Sequence, residues 1–338
     1  MNFLAFIFSF FVGDASINGY PFGSILLLLP FLLIKTFQIK KKDFLNLFIL
    51  LIFLLLNIYK EFDIRYIFWP VNAFLLSLVI RSINIRAFSK SFMSIFILIW
   101  FMLNLINSNF GETRFDFIFG SNVQYRIFTV FFILFLINYS QKLDFKSLLS
   151  LLISIVGGLL TGSRGFLPLL ALSNIKFAID RNFYGKKGIF FMIFILIFCI
   201  SFFDLIFYEI SSSRQFFFSI ENSSLSSRYM LLNQFLTEPL SLISLIGIDE
   251  LNRSYIFFTG FPYPHNFVLE LFIYYGFLGF FLSILFILNN IPKWKSEYFP
   301  LLIAACIWSL FSGDFGDNYV IFALLVAASS YKRREIWN

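Results

Sequence analysis

The chain has 338 residues, of which 59% are hydrophobic and 13% charged, with 54 phenylalanines. That composition lies far outside the soluble range and predicts a membrane protein. The net charge of +7 invites a nucleic-acid reading, but the basic residues fall between apolar runs in the manner of the positive-inside rule, so nucleic acid is not an expected partner.

A hydrocarbon core about 30 Å thick needs roughly 20 apolar residues per helix. In chain order, such runs predict spans over residues 2–13, 20–36, 43–59, 65–80, 91–107, 125–140, 146–162, 165–179, 188–209, 265–289, 298–312 and 317–331. The expected fold class is therefore all-α: a polytopic transmembrane helical bundle of about 12 spans, or 10–12 given the short first and eighth runs. It is expected to form a single integral membrane domain over residues 1–338. The opening "MNFLAFIFSFFVGDAS" lacks the basic flank of a cleaved signal peptide and is read as a span.

One connection is long. Residues 210–263 contain "SSRYMLLNQFL", which reads as a short helix capped near Ser226 or Ser227 and followed by Pro239. A loop of this length is usually functional or disordered. Further along it, "RSYIFFTGFPYPHN" gathers Tyr255, Phe257, Phe258, Phe261 and Tyr263. These rings suit either stacking on sugar faces or an interfacial aromatic belt.

Several chemistries are disfavoured. One histidine and two cysteines, Cys199 and Cys306 within apolar runs, cannot build a multi-ligand zinc site, so no metal is expected. No GxxxxGK[ST] phosphate loop occurs, which argues against a built-in ATPase, and no cofactor is expected. Internal repeats are not visible, which weakens a transporter built from duplicated halves. Much of the phenylalanine fits codon bias filling lipid-facing positions.

The basic residues orient the chain. With a cytoplasmic N-terminus the inner side holds Lys35, Lys40, Lys41, Lys42, Arg81, Arg86, Lys90, Lys142, Lys146, Lys176, Arg181, Lys186, Lys187, Lys293, Lys295, Lys332, Arg333 and Arg334. The outer side keeps Lys60, Arg65, Arg114, Arg126, Arg164, Arg214, Arg228 and Arg253. This places both termini inside. Thirteen of the eighteen inner charges are lysine, whereas seven of the eight outer ones are arginine. Topology needs only positive charge, but a planar guanidinium suits a phosphate or diphosphate. Snorkelling, or pairing with Glu112, Asp116 or Glu221, is the alternative for any single arginine.

Three outer stretches concentrate polar groups: "ETRFDFIFGSNVQYR" at 112–126, "GGLLTGSRGFLPL" at 157–169, and "SSRYM" at 226–230 with "PHNFVLELFIYYGFLGF" at 264–280. In the second, glycines surround Arg164 between two apolar segments. A charge at that depth costs about 2.5–3.5 kcal/mol on insertion scales and normally has a partner. Close packing through Gly158-x-x-x-Gly162 beside a snorkelling Arg164 is the competing explanation. The third stretch holds His265, the sole histidine, where the loop re-enters the apolar core.

These motifs resemble the O-antigen polymerase and O-antigen ligase superfamily of bacterial envelopes. The resemblance runs over about residues 110–285: Arg114, Gly120 and Asn122, then Ser163, Arg164 and Gly165, then Arg228, and last His265, Asn266, Glu270, Gly276 and Gly279. It implies a metal-independent glycosyltransferase in the bacterial inner membrane. Its donor would be an oligosaccharide on undecaprenyl diphosphate, transferred to an acceptor hydroxyl at the periplasmic face, with a chain-length regulator as a further partner. Arg164 and Arg228 would stabilise the leaving diphosphate, and His265 would take the proton of the attacking hydroxyl. Arg114, Asn122, Arg126, Ser163, Asn266 and Glu270 would bind substrate.

Plainer roles stand beside these: His265 as an interfacial residue bonded to a loop carbonyl, Glu270 as a satisfied polar residue of the bundle, Asp314 and Asp317 as solvent-facing. The chain is also short for the family, and the outer loop at 108–124 is reduced, which bears on Arg114 and Arg126 most. Polymerase and ligase differ only in acceptor, another lipid-linked repeat unit or lipid A–core; a specialised chain such as this favours the polymerase. A polysaccharide flippase would carry charges along a central pathway, whereas most here sit at span ends. A purely structural membrane protein is the last alternative.

Overall fold

The structure is a computed structural model that describes residues 39–60, 62, 64–107, 121–138, 145–161, 166, 170, 245–247, 267–311 and 318–330. Among them are eight α-helices, one 3₁₀ turn at Ile85–Ala87 and no strand. The helices are α1 Lys41–Tyr59, α2 Ile64–Ser82, α3 Lys90–Asn107, α4 Ser121–Asn138, α5 Phe145–Leu160, α6 Phe267–Asn289, α7 Phe299–Phe311 and α8 Val320–Ser329. Each coincides with an expected apolar run to within a few residues. The runs at 2–13, 20–36 and 188–209, nearly all of 165–179, and all but three residues of the 210–263 loop lie outside the described residues.

By length and composition, α1 and α6 can each cross a membrane; the other six helices contain apolar stretches of 10–17 residues. Helix α1 exposes an apolar face and buries polar residues among apolar ones, unlike a soluble helix. Its buried stripe holds Asp43, Asn46, Ile49, Leu50, Phe53 and Asn57, whereas Phe44, Leu47, Phe48, Leu51, Leu55 and Ile58 are exposed, Phe48 by 59%. Helix α3 repeats the pattern, with Asn104 buried and Phe92, Ile95, Leu98, Ile99, Met102 and Ile106 outward. A helix in water minimises free energy by hiding such residues; contiguous exposed apolar faces of this kind belong against an apolar medium.

The chain divides into two compact units, Met1–Asn84 with Ser224–Asn338, and Ile85–Ser223. In the first, α2 packs on α1 and α8, α6 packs on α1, and α7 on α8. Its core is an aromatic hub: Phe53 lies 5.2 Å from Trp69 and 5.0 Å, edge-on, from Tyr275, while Phe322 lies 5.1 Å from Trp69 and 5.0 Å from Phe286, centroid to centroid.

One end of this unit is closed by polar side chains. Arg81 donates to both oxygens of Asp43, at 2.9 and 3.0 Å, and Asp43 also accepts the Lys40 N–H at 2.7 Å. Asn46 Oδ1 accepts from Asn289 and Asn290 at 2.8 and 2.6 Å, and Lys42 Nζ donates to Ser329 Oγ at 2.6 Å. The Lys293 N–H reaches the Ala328 carbonyl at 3.3 Å. Lys42, Arg81 and Lys293, assigned to one side from their spacing, are thus gathered at one end.

In the second unit α4 is buried throughout from Gln124 to Leu136 and packs against α5, which also packs on α3. Trp100 Nε1 donates to Gln124 Oε1 at 2.9 Å, Ser150 donates to Ser94 at 2.8 Å, and Phe96 stacks on Phe131 at 5.4 Å. The glycines of α5 serve close approach. A Cβ at Gly157 would stand 2.3 Å from the Phe128 ring, and one at Gly158 would stand 2.1 Å from the Phe166 ring. Gly158 is therefore filled by an aromatic ring of the same chain; Gly162 lies outside the described residues.

Candidate functional site

Of the nine candidate residues, six lie outside the described residues: His265, Asn266, Arg164, Ser163, Arg228 and Arg114. Asn122 falls in the first turn of α4, where the backbone alone is described. Arg126, on the second turn of α4, is only 4% exposed, between Tyr125 and Ile127, which are also buried. Glu270 is wholly buried in the first turn of α6, where a carboxylate is favoured by the N-terminal end of the helix dipole. Arg126 belongs to the second unit and Glu270 to the first. Buried ionisable groups in apolar helices are costly to keep, which makes Arg126 and Glu270 candidates for a functional role.

The run expected at 265–289 differs from expectation in one respect: it is not one continuous helix. Gly276 has φ 60° and ψ −153°, a region that a side chain all but forbids. The break divides α6 into a half-helix ending at Tyr275, which carries Glu270, and a second half running to Asn289.

Two backbone groups at this break are met by other segments of the chain. In an unbroken helix the Leu278 N–H donates to the Tyr274 carbonyl. Here it donates to the Leu245 carbonyl at 2.9 Å. The Tyr274 carbonyl instead accepts from Lys60 Nζ at 2.5 Å, and the same ammonium donates to the Ile246 carbonyl. Lys60 is 4% exposed and its Nζ lies 5.7 Å from the centroid of Phe62. Between these contacts sits Gly247, at φ +82°, where a Cβ would come within 2.4 Å of the Tyr274 backbone. The 245–247 backbone is thus pressed onto the broken helix, with room for glycine alone.

Below the break, Tyr275 Oη donates to Asn57 Oδ1 at 2.7 Å and accepts from Trp69 Nε1 at 2.9 Å. All three side chains are fully buried. This chain ties α1, α2 and α6 together beside Gly276, and a hydrogen-bonded buried network of this kind fixes one arrangement of helices. Gly279 completes it: a Cβ there would meet Tyr275 at 2.1 Å.

Sequence reasoning passed over Lys60, Asn57, Trp69, Tyr275 and Gly247. A signal for the first was present, since Lys60 is the one lysine among eight outer basic residues. Among the described residues no group of three His, Cys, Asp or Glu side chains is placed to hold a metal. No protein-family model matches the chain, and no curated protein matches it.

Proposed function

We propose that this chain is an integral inner-membrane polysaccharide polymerase that lengthens a lipid-linked glycan at the outer face. The acceptor sugar hydroxyl of one lipid-linked repeat unit attacks the anomeric carbon of another. The bond from that carbon to undecaprenyl diphosphate breaks, and the lipid diphosphate leaves with the bonding pair. His265 takes the hydroxyl proton, and Arg164 and Arg228 offset the growing charge on the diphosphate. Arg114, Asn122, Arg126, Ser163, Asn266 and Glu270 hold the sugars and the diphosphate.

One observation carries this reading: the ordered series Arg114, Ser163-Arg164-Gly165, Arg228, His265-Asn266 and Glu270 ends in Gly276-x-x-Gly279, the very glycines at which α6 breaks and closes on Tyr275. Discontinuous helices in membrane proteins are tolerated where protein or a polar cavity surrounds their exposed backbone and half-helix ends, and in transporters they form substrate sites. The exposed apolar faces of α1 and α3 and the burial of Arg126 and Glu270 support the membrane setting and an interior suited to charge.

The test is a surface-polysaccharide gel of a deletion strain complemented with wild type, His265→Ala, Arg164→Ala or Arg228→Ala at matched protein levels. A single repeat unit on the lipid core after deletion is the expected result. Long carrier-linked polymer would identify a ligase instead, and an unchanged ladder would remove both. Polymer retained in both arginine variants would end the diphosphate assignment.

A further inference from the structure

The break in α6 can be placed in depth. Asn46 pairs with Asn289 and Asn290 near the start of α1, and Lys60 meets the broken helix just beyond its end. From Asn46 to Lys60, and from Gly276 to Asn290, the separation is fourteen residues in each case, about 21 Å at the α-helical rise. With the asparagine cluster near one membrane surface, the break lies about two-thirds of the way across a hydrocarbon core of about 30 Å. Lipid cannot serve the freed backbone groups there.

We propose that Lys60 is a positioning residue: its ammonium latches the 245–247 segment onto the broken helix and so fixes the half-helix that carries Glu270 for the transfer reaction. The functional half of this statement rests on the polymerase reading; the latch does not.

The chemistry explains the residue type. Two carbonyls from different segments, Ile246 and Tyr274, converge on one point. A compact ammonium with three rotatable donors can join them, whereas a planar guanidinium fork is shaped for carboxylates and phosphates. The carbonyls at the end of a half-helix also carry its negative pole, which favours a cation. The exception among the outer basic residues thus acquires a task different from that of the arginines. Three further observations converge on the same contact: the Leu278-to-Leu245 hydrogen bond, the positive φ of Gly247 and the positive φ of Gly276.

The experiment uses the full-length chain in lipid nanodiscs and in the complemented deletion strain, with Lys60→Met, Lys60→Arg and Gly247→Ala. Gly247→Ala attacks the contact from the loop side with Lys60 intact, so the question survives if Lys60→Met fails to fold. Backbone hydrogen exchange in peptides covering 245–247 and 274–279 is expected to rise at least about tenfold in Lys60→Met and Gly247→Ala. Long-chain polymer is expected to fall at least about tenfold in both, with Lys60→Arg restoring part of it. Unchanged exchange would overturn the latch whatever the protein does. Faster exchange with a normal polymer ladder would keep the latch and overturn the positioning role. Failure of wild type to restore polymer would instead overturn the polymerase reading and the role built on it, leaving exchange to judge the latch alone.

Discussion

Lys60 and Tyr274 are joined across 214 positions of sequence by a hydrogen bond of 2.5 Å from ammonium to carbonyl. The lysine stands where an unbroken α6 would have its own Leu278 N–H. Gly276 makes that exchange possible, since φ 60° with ψ −153° is essentially a glycine conformation. Gly276→Ala is therefore expected to lower stability by about 1–3 kcal/mol, seen as a lower midpoint in thermal unfolding of the detergent-solubilised protein. If the helix can close up instead, alanine adds helix propensity of about 1 kcal/mol. A raised midpoint would then mean that the break is not the resting state of α6.

The hydroxyl of Tyr275 connects Asn57 and Trp69. Tyr275→Phe removes it while keeping the ring that packs edge-on against Phe53. Hydrogen bonds between membrane helices average about 0.6 kcal/mol and reach about 1.7 in favourable cases. A fully buried hydroxyl with two partners belongs toward the upper figure. A double-mutant cycle of Tyr275→Phe with Asn57→Leu, read by chemical unfolding in mixed micelles, should return a coupling near that value. Strict additivity would show that the two groups do not sense each other.

Much of the helical framework was legible because apolar runs long enough for a helix are hard to mistake, and the spacing of Lys42, Arg81 and Lys293 placed them at a common end. The break at Gly276 was not legible. Isolated glycines in apolar helices usually serve packing, as Gly157 and Gly158 do against Phe128 and Phe166. What distinguishes Gly276 is a contact with residues 245–247 and Lys60, which are remote in sequence and leave no periodic trace. Burial of Arg126 and Glu270 likewise depends on which helix faces meet, and hydropathy alone does not encode that.

Asp43 and Arg81 form a paired contact between the start of α1 and the end of α2, with side-chain exposures of 2% and 10%. Removing one partner of a buried pair leaves the other charge uncompensated, at about 3–5 kcal/mol. The two ends are not equivalent, however. Arg81 has the longer stem and the greater exposure, so it can turn toward water when Asp43 is lost. Asp43→Ala also loses the bond from the Lys40 N–H, a helix-start contact worth about 1 kcal/mol. Arg81→Ala, which strands the less exposed carboxylate, is still expected to cost more than Asp43→Ala, because the uncompensated charge outweighs that contact. The comparison is made by thermal unfolding of the two single variants and the double. A double variant much less harmed than the sum of the singles would confirm that the pair acts as a unit.

The two ends of α6 give the sharpest check on the membrane arrangement. Val268 and Lys293 are both exposed, and the helix between them is long enough to cross a membrane. In a cysteine-free background, Val268→Cys is expected to react with a membrane-impermeant maleimide in intact spheroplasts. Lys293→Cys should react only after the membrane is opened, because the Lys42, Arg81 and Lys293 end carries the excess of positive charge. Labelling of both from outside would show that α6 does not span. The reversed pattern would be as damaging to the proposed activity as to the topology. It would put Glu270, the break and the sequence leading from His265 on the cytoplasmic side, away from a glycan donor presented at the outer face.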